Sequence, residues 1–196
     1  MVIGVLALQG AFARHIEACE RLGAAAREVR VAADLAEVDA LILPGGESTT
    51  MSKLLESQQL FDPIAARLAD GMAAFGTCAG LILLARQVLD GRADQRSFAS
   101  IDCTVRRNGY GRQVDSFETD LAIAGVPGGP FHAVFIRAPR IESVGDGVDV
   151  LARVGDDPVV CRAGRVLTAA FHPELTDDLR LHELFLSLTR NRPGSV

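Results

Sequence analysis

Five residues, Gly76-Thr77-Cys78-Ala79-Gly80, constrain the fold more than any other stretch of this chain. Ala73-Ala74-Phe75 leads into them, and the helix-like run Leu81-Ile82-Leu83-Leu84-Ala85 follows. Strand, sharp turn and helix, with one reactive side chain at the tip, is the layout of a nucleophile elbow. Such a turn crowds its central residue, so the positions two before and two after must be small, and here both are Gly. A thiol at the start of a helix also meets unpaired N–H groups and the positive end of the helix dipole, which favour thiolate. The alternative, an inert buried cysteine beside a glycine turn, leaves the paired glycines unexplained.

Around the elbow the first half of the chain reads as repeated strand–helix units. An apolar run over 2–8 predicts a strand buried on both faces, and Ile16, Cys19 and Leu22 mark a helix stopped at Gly23. Short strands are expected at 28–31 and 40–43, the latter stopped by Pro44-Gly45-Gly46. Ser48 or Thr49 is placed to cap a helix over 51–55, and another helix is expected over 63–68. Strands alternating with helices imply an α/β fold: a doubly wound, mostly parallel sheet with helices on both faces, flavodoxin-like in its winding. Ligands then gather at the C-terminal ends of the strands. The second half predicts shorter strands at 101–105, 133–136, 148–154, 158–162 and 166–171, and a closing helix over 179–188. One domain over 1–190 is expected, with a disordered tail at 191–196.

The chain has 196 residues, enough for a core without disulfides or metals. That core must be aliphatic, since 48% of residues are hydrophobic but only 5% aromatic. A net charge of −5 argues against a nucleic-acid partner, which needs a basic patch. No apolar run is long enough to span a bilayer, no signal peptide is evident, and a cytoplasmic location fits. None of the four cysteines has metal-ligand spacing, so no metal site is expected, and Cys19, Cys103 and Cys161 read as core residues.

A thiolate nucleophile needs a base, and the base an orienting acceptor. Of the four histidines, His15 and His182 fall within the first and last helices, where solvated or half-packed roles are expected. His132 opens a strand and reads as a satisfied core residue. His172 follows the 166–171 strand, in His172-Pro173-Glu174, and so emerges where a parallel sheet gathers its site. Glu174 can turn back and fix the imidazole tautomer. A helix-start turn would use the same three residues and is an equal reading of that motif alone; the elbow tips the balance.

Pro44-Gly45-Gly46-Glu47-Ser48-Thr49-Thr50 lacks the spacing of a phosphate-binding loop around Lys53. Its two glycines instead let the Gly46 peptide approach a reacting carbonyl while the Ala79 N–H approaches from the elbow, an oxyanion hole. The same glycines allow the peptide to rotate, which would gate the site.

These motifs, with Phe171-His172-Pro173-Glu174, resemble those of class I glutamine amidotransferases. Leu8-Gln9-Gly10, Asn108-Gly109-Tyr110-Gly111-Arg112-Gln113, Asp115-Ser116-Phe117 and Phe135-Ile136-Arg137-Ala138-Pro139 are similar to the glutaminase subunits of pyridoxal 5'-phosphate synthases, along practically the whole chain. Ala73, where a proline is usual, and residues 92–100 depart from that pattern. The resemblance implies Cys78 as nucleophile, His172 as general base and acid, and Glu174 as its orienter. It further implies that Gly46, Glu47, Ser48, Arg107, Ile136 and Arg137 bind L-glutamine; an isolated arginine in a surface ion pair is the commoner alternative for Arg107 and Arg137. The implied reaction needs no cofactor. The implied partner is a separate synthase subunit, in a large hetero-oligomer that shields ammonia from protonation. Rival readings are a glutaminase serving another synthase, such as imidazole glycerol phosphate synthase, a redox or stress protein with Cys78 as peroxide sensor, and a non-catalytic binding module.

Overall fold

The computed structural model describes residues 1–107, 109 and 116–190. Four strands, β1 (Val2–Leu6), β2 (Ala25–Val29), β3 (Ala40–Leu43) and β4 (Ala73–Thr77), join β12 (Val166–Ala169) in a parallel sheet ordered β2-β1-β3-β4-β12. Two antiparallel strands, β11 (Asp157–Ala163) and β10 (Asp149–Val154), extend it beyond β12. Helices α1 (Phe12–Arg21), α2 (Ala32–Ala36), α3 (Ser48–Ser57), α4 (Phe61–Ala69), α5 (Ala79–Leu84) and α6 (Arg180–Arg190) cover it. A smaller sheet pairs β5 (Ala85–Val88), β6 (Ile101–Arg106) and β9 (Arg140–Val144), and β7 (Ser116–Leu121) forms a hairpin with β8 (Phe131–Ile136).

Strand β4 shows how the two-residue period of a strand serves two helix layers. Phe75 and Thr77 point to the side of α1 and α6, where the Phe75 ring meets His182 and Phe185 edge-on or tilted and Thr77 Oγ1 lies 3.4 Å from His15. Gly76 points the other way, and any Cβ there would run into the Gly80 backbone and Leu84 of α5. A Cβ on Gly80 would in turn strike the Leu43 carbonyl of β3. Both elbow glycines are therefore required by close approach, as the sequence predicts.

Several elements differ from the expected ones. The second strand lies at Ala25–Val29, pulled toward the N-terminus because Val2 to Leu6 pair with Ala25 to Val29 in register. The α3 cap is Glu47, not Ser48 or Thr49; its carboxylate accepts from the Thr49 N–H at 3.1 Å and the Thr50 N–H at 2.7 Å. The last parallel strand stops at Ala169, and the Ala170 N–H turns to Val159 O of β11. Helix α2 and strands β5, β7 and β9 carry no expectation from sequence; β7 alternates more and less exposed residues once β8 pairs with it. The motif residues Asn108, Tyr110 to Asp115 and the 191–196 tail lie outside the described residues.

Candidate active site

Cys78 sits between β4 and α5 at φ 49° and ψ −104°, a left-handed backbone that costs a non-glycine residue about 1–3 kcal/mol. The turn is held by its own N–H, which donates to Ala169 O of β12 at 2.9 Å. His172 arrives from beyond β12, and its N–H donates to Val134 O of β8 at 2.9 Å. The hairpin thereby braces the histidine, and the end of the same strand delivers Ile136 and Arg137 to the same place. Glu174 lies in a single 3-10 turn, Pro173–Leu175, and its Oε1 is 2.8 Å from His172 Nδ1. Cys78 is close enough to His172 to favour the charged form of its imidazole.

These groups line one cavity of about 320 Å³ with Gly10, Ala11, Gly45, Gly46, Glu47, Ser48, Ile82, Arg107, Ile136, Arg137 and Leu175. Gly45 is a glycine because its α-carbon lies against the His172 ring and the Cys78 Cβ. The Gly45 carbonyl is turned to Gly10, which sends the Gly46 N–H of that trans peptide unit the opposite way. The next N–H, of Glu47, donates to Gln9 Oε1 at 2.9 Å. Ala79, the first residue of α5, is buried behind Cys78.

Charge in the site is set by competing effects. Burial disfavours the imidazolium of His172, but hydrogen bonds and charge from Cys78 and Glu174 prevail and push it up to about 10. Burial works against ionisation of Glu174 too, and its contacts with His172 and His15 outweigh this and hold the carboxyl below the usual range. At the cavity rim, Glu47 is opposed by burial, yet the Thr50 and Thr49 bonds hold it at about 2. Its Oε1 also pairs with Arg107 at 2.7 Å. Burial drives Cys19, Cys103 and Cys161 up to about 12, so they remain thiols.

The structure thus brings together Cys78, His172, Glu174, Gly46, Glu47, Ser48, Arg107, Ile136 and Arg137. It corrects three histidines. His15 and His182 are fully buried, not solvated, because the α1 and α6 faces that carry them close on each other over Phe75. His132 is exposed and bonds Asp120 and Glu118 across the hairpin at 3.0 and 2.8 Å, since β8 turns it to solvent. Sequence reasoning also left Gln9 without a role, although its place in the first strand-end loop was the available signal. Among the described residues, no group of three or more His, Cys, Asp or Glu is disposed to hold a metal, and no helix is long and apolar enough to cross a membrane.

A family model described as the SNO glutamine amidotransferase family matches residues 5–190. The pyridoxal 5'-phosphate synthase subunit PdxT of Parafrankia sp. is 55% identical over 192 residues, covering 98% of this chain and 95% of that protein. The protein of the same name from Frankia alni is 56% identical over 189 residues, covering 96% and 95%. The crystal structure of a glutamine amidotransferase, 50% identical, superimposes with a TM-score of 0.91 over 97% of this chain and 100% of that one.

Proposed function

The chain belongs to the SNO glutamine amidotransferase family, and from that premise we propose that it is the glutaminase subunit of a pyridoxal 5'-phosphate synthase. It hydrolyses L-glutamine to L-glutamate and ammonia with Cys78, His172 and Glu174, and hands the ammonia to a separate synthase subunit. One domain over 1–190 performs the hydrolysis. The observation that carries this reading is the convergence of Cys78, His172 and Glu174 on one cavity beside the Gly45-Gly46 loop.

The Cys78 thiol gives its proton to His172 and its sulfur attacks the side-chain amide carbon, while the carbonyl π electrons move to oxygen as the tetrahedral oxyanion forms. The N–H groups of Gly46 and Ala79 serve that oxygen; one such donor is worth roughly 10²–10³ in rate. His172 protonates the departing nitrogen as the C–N bond breaks, leaving a γ-glutamyl thioester. It then takes a proton from water, whose oxygen attacks the thioester; the C–S bond breaks, His172 returns the proton to the Cys78 sulfur, and glutamate is released. Glu174 holds the imidazole by Nδ1 and stabilises its positive charge. Gly46, Glu47, Ser48, Arg107, Ile136 and Arg137 hold the substrate; a guanidinium suits the glutamine α-carboxylate.

In water near neutral pH ammonia is mostly ammonium, which has no lone pair, so a biosynthetic glutaminase gains from hydrolysing only against a docked acceptor. A soluble synthase subunit is therefore expected to raise the hydrolysis rate. The decisive assay measures ammonia release with and without that subunit, for wild type and Cys78→Ala. Release that persists unchanged in Cys78→Ala would remove the thiol from the mechanism.

A further inference from the structure

Behind Glu174, on the side away from the cavity, lies a polar chain that the reaction as described does not use. Glu174 Oε1 is engaged by His172, while Oε2 is buried and without a formed hydrogen bond. His15 Nε2, from α1, stands 3.4 Å from Oε2 and also 3.4 Å from Thr77 Oγ1. The other ring nitrogen of His15, Nδ1, is 2.9 Å from His182 Nε2, from α6. His182 Nδ1 is buried and has no partner among the described residues. His15, His182 and Thr77 are all fully buried.

The proton positions follow from counting donors. Burial holds His15 down at about 4 and His182 at about 3, against the opposing charge of Glu174, so both rings are neutral at pH 7 and each has one N–H. If His15 carries its proton on Nδ1, it donates to His182 Nε2. His182 must then carry its own proton on Nδ1, a buried N–H with nothing to receive it, and a His15 lone pair faces the carboxylate. If both carry it on Nε2, His182 donates to His15 Nδ1, and His15 donates toward Glu174. Only a lone pair on His182 is then left over. A stranded buried N–H costs about 1–3 kcal/mol, and a charge-assisted bond to a carboxylate outranks one to the Thr77 hydroxyl. The second arrangement is the favoured one.

We propose that His15 is a positioning residue for the reaction, and that His182 sets the tautomer that lets it act. The His15 Nε2–H steadies the Glu174 oxygen that His172 leaves free, so that Oε1 stays aimed at His172 and the carboxylate stays ionised. The proposal rests on the reading of Cys78, His172 and Glu174 as a catalytic set. The groups facing Glu174 are His172 from the cavity, with Cys78 beyond it, and His15 from α1, with Thr77 of β4 and His182 of α6 beyond it. Arg14, Glu17, Arg21 and Asp177 border an outer groove that also reaches it. Those facing His15 are Glu174, His182, Thr77 and, through space, His172.

Four histidines make the test tractable by nitrogen-15 NMR of the histidine-labelled full chain, each ring being assigned by single substitution. In wild type, His15 and His182 should both be neutral Nε2–H tautomers from pH 6 to 9; a charged ring, or a proton on His15 Nδ1, overturns the proposal. His15→Phe should lower the His172 titration midpoint by about one unit, a tenfold change. His15→Gln, whose amide can still donate to Oε2, should stay within about 0.3 of wild type. Equal shifts in both variants would reduce His15 to packing. Should His15→Phe fail to fold, the wild-type tautomers still decide. Glutamine hydrolysis is measured separately with the synthase subunit: a wild-type complex that releases no ammonia would sink the proposed function, while the spectra still decide the positioning.

Discussion

Glu174 stands between two regions that treat the same side chain in opposite ways. On its cavity side His172 is pushed up to about 10; on its core side His15 and His182 are pushed down to about 4 and 3. Burial acts in the same direction on all three. The difference is that His172 is hydrogen-bonded to the Glu174 carboxylate and is raised by Cys78 as well, whereas His15 reaches only the carboxylate's second oxygen, at 3.4 Å. One carboxylate therefore sustains a charged imidazole on one face and neutral ones on the other.

The strongest way to break this asymmetry is to remove the sulfur. Cys78→Ala should abolish glutamine hydrolysis, with a loss of about 10⁴-fold or more in kcat. It should also bring the His172 midpoint down from about 10, because Cys78 is one of the contacts that raise it. A glutamine-mimicking electrophile should label Cys78 and spare Cys19, Cys103 and Cys161, whose thiols are held at about 12. Even labelling across all four would sink the assignment.

Removing the charge but keeping the shape is the next test. Glu174→Gln should lower kcat by roughly 10²–10⁴-fold, less than His172→Ala, which removes the proton carrier itself. Equal losses in the two variants would mean that Glu174 does more than orient.

The core side can be read through acid stability. A histidine whose folded value lies below its unfolded 6.5 contributes nothing to destabilisation above that pH and progressively more below it, as the unfolded chain takes up the proton. His15 and His182 should therefore make stability fall by about 2–3 kcal/mol per pH unit around pH 5, measured by denaturant unfolding across pH 4.5–7. His172 has the opposite sign: its contribution is full below pH 6.5 and is lost as pH rises through about 10. A flat profile near pH 5 would mean that the buried pair is protonated in the folded state.

The smallest effect lies at the rim. Glu47→Ala removes the α3 cap and should cost about 1 kcal/mol in urea unfolding. It also releases Arg107, so KM for glutamine should rise more than kcat falls. An unchanged KM would leave Glu47 as a cap alone.

The elbow was legible because its requirements are local: a strand, a crowded turn and a helix announce themselves within ten residues, and the flanking glycines meet the Leu43 carbonyl and the Gly80 backbone as expected. His172-Pro173-Glu174 was legible for the same reason, two residues joining one ring to one carboxylate. The α3 cap lies one or two residues before the expected Ser48 or Thr49 because Ser, Thr and a preceding Glu all offer oxygen, and only the backbone angles of Glu47 choose among them. The histidines failed for a different reason. A helical pattern marks which residues share a face, but His15 and His182 are 167 positions apart, and nothing local says that their faces meet.

By itself the sequence determined the parallel α/β winding, the Cys78 elbow, the His172–Glu174 pair and the family, since each depends on hydrophobic period, turn chemistry or motif. Tertiary structure alone decided the approach of His172 to Cys78 beside Gly45, the Gln9 hold on the Glu47 N–H, and the burial of His15 and His182 behind Glu174. Those are contacts between elements far apart in the chain. Protonation at each depends on the dielectric and the neighbours that packing supplies, neither of which a residue carries in its own identity.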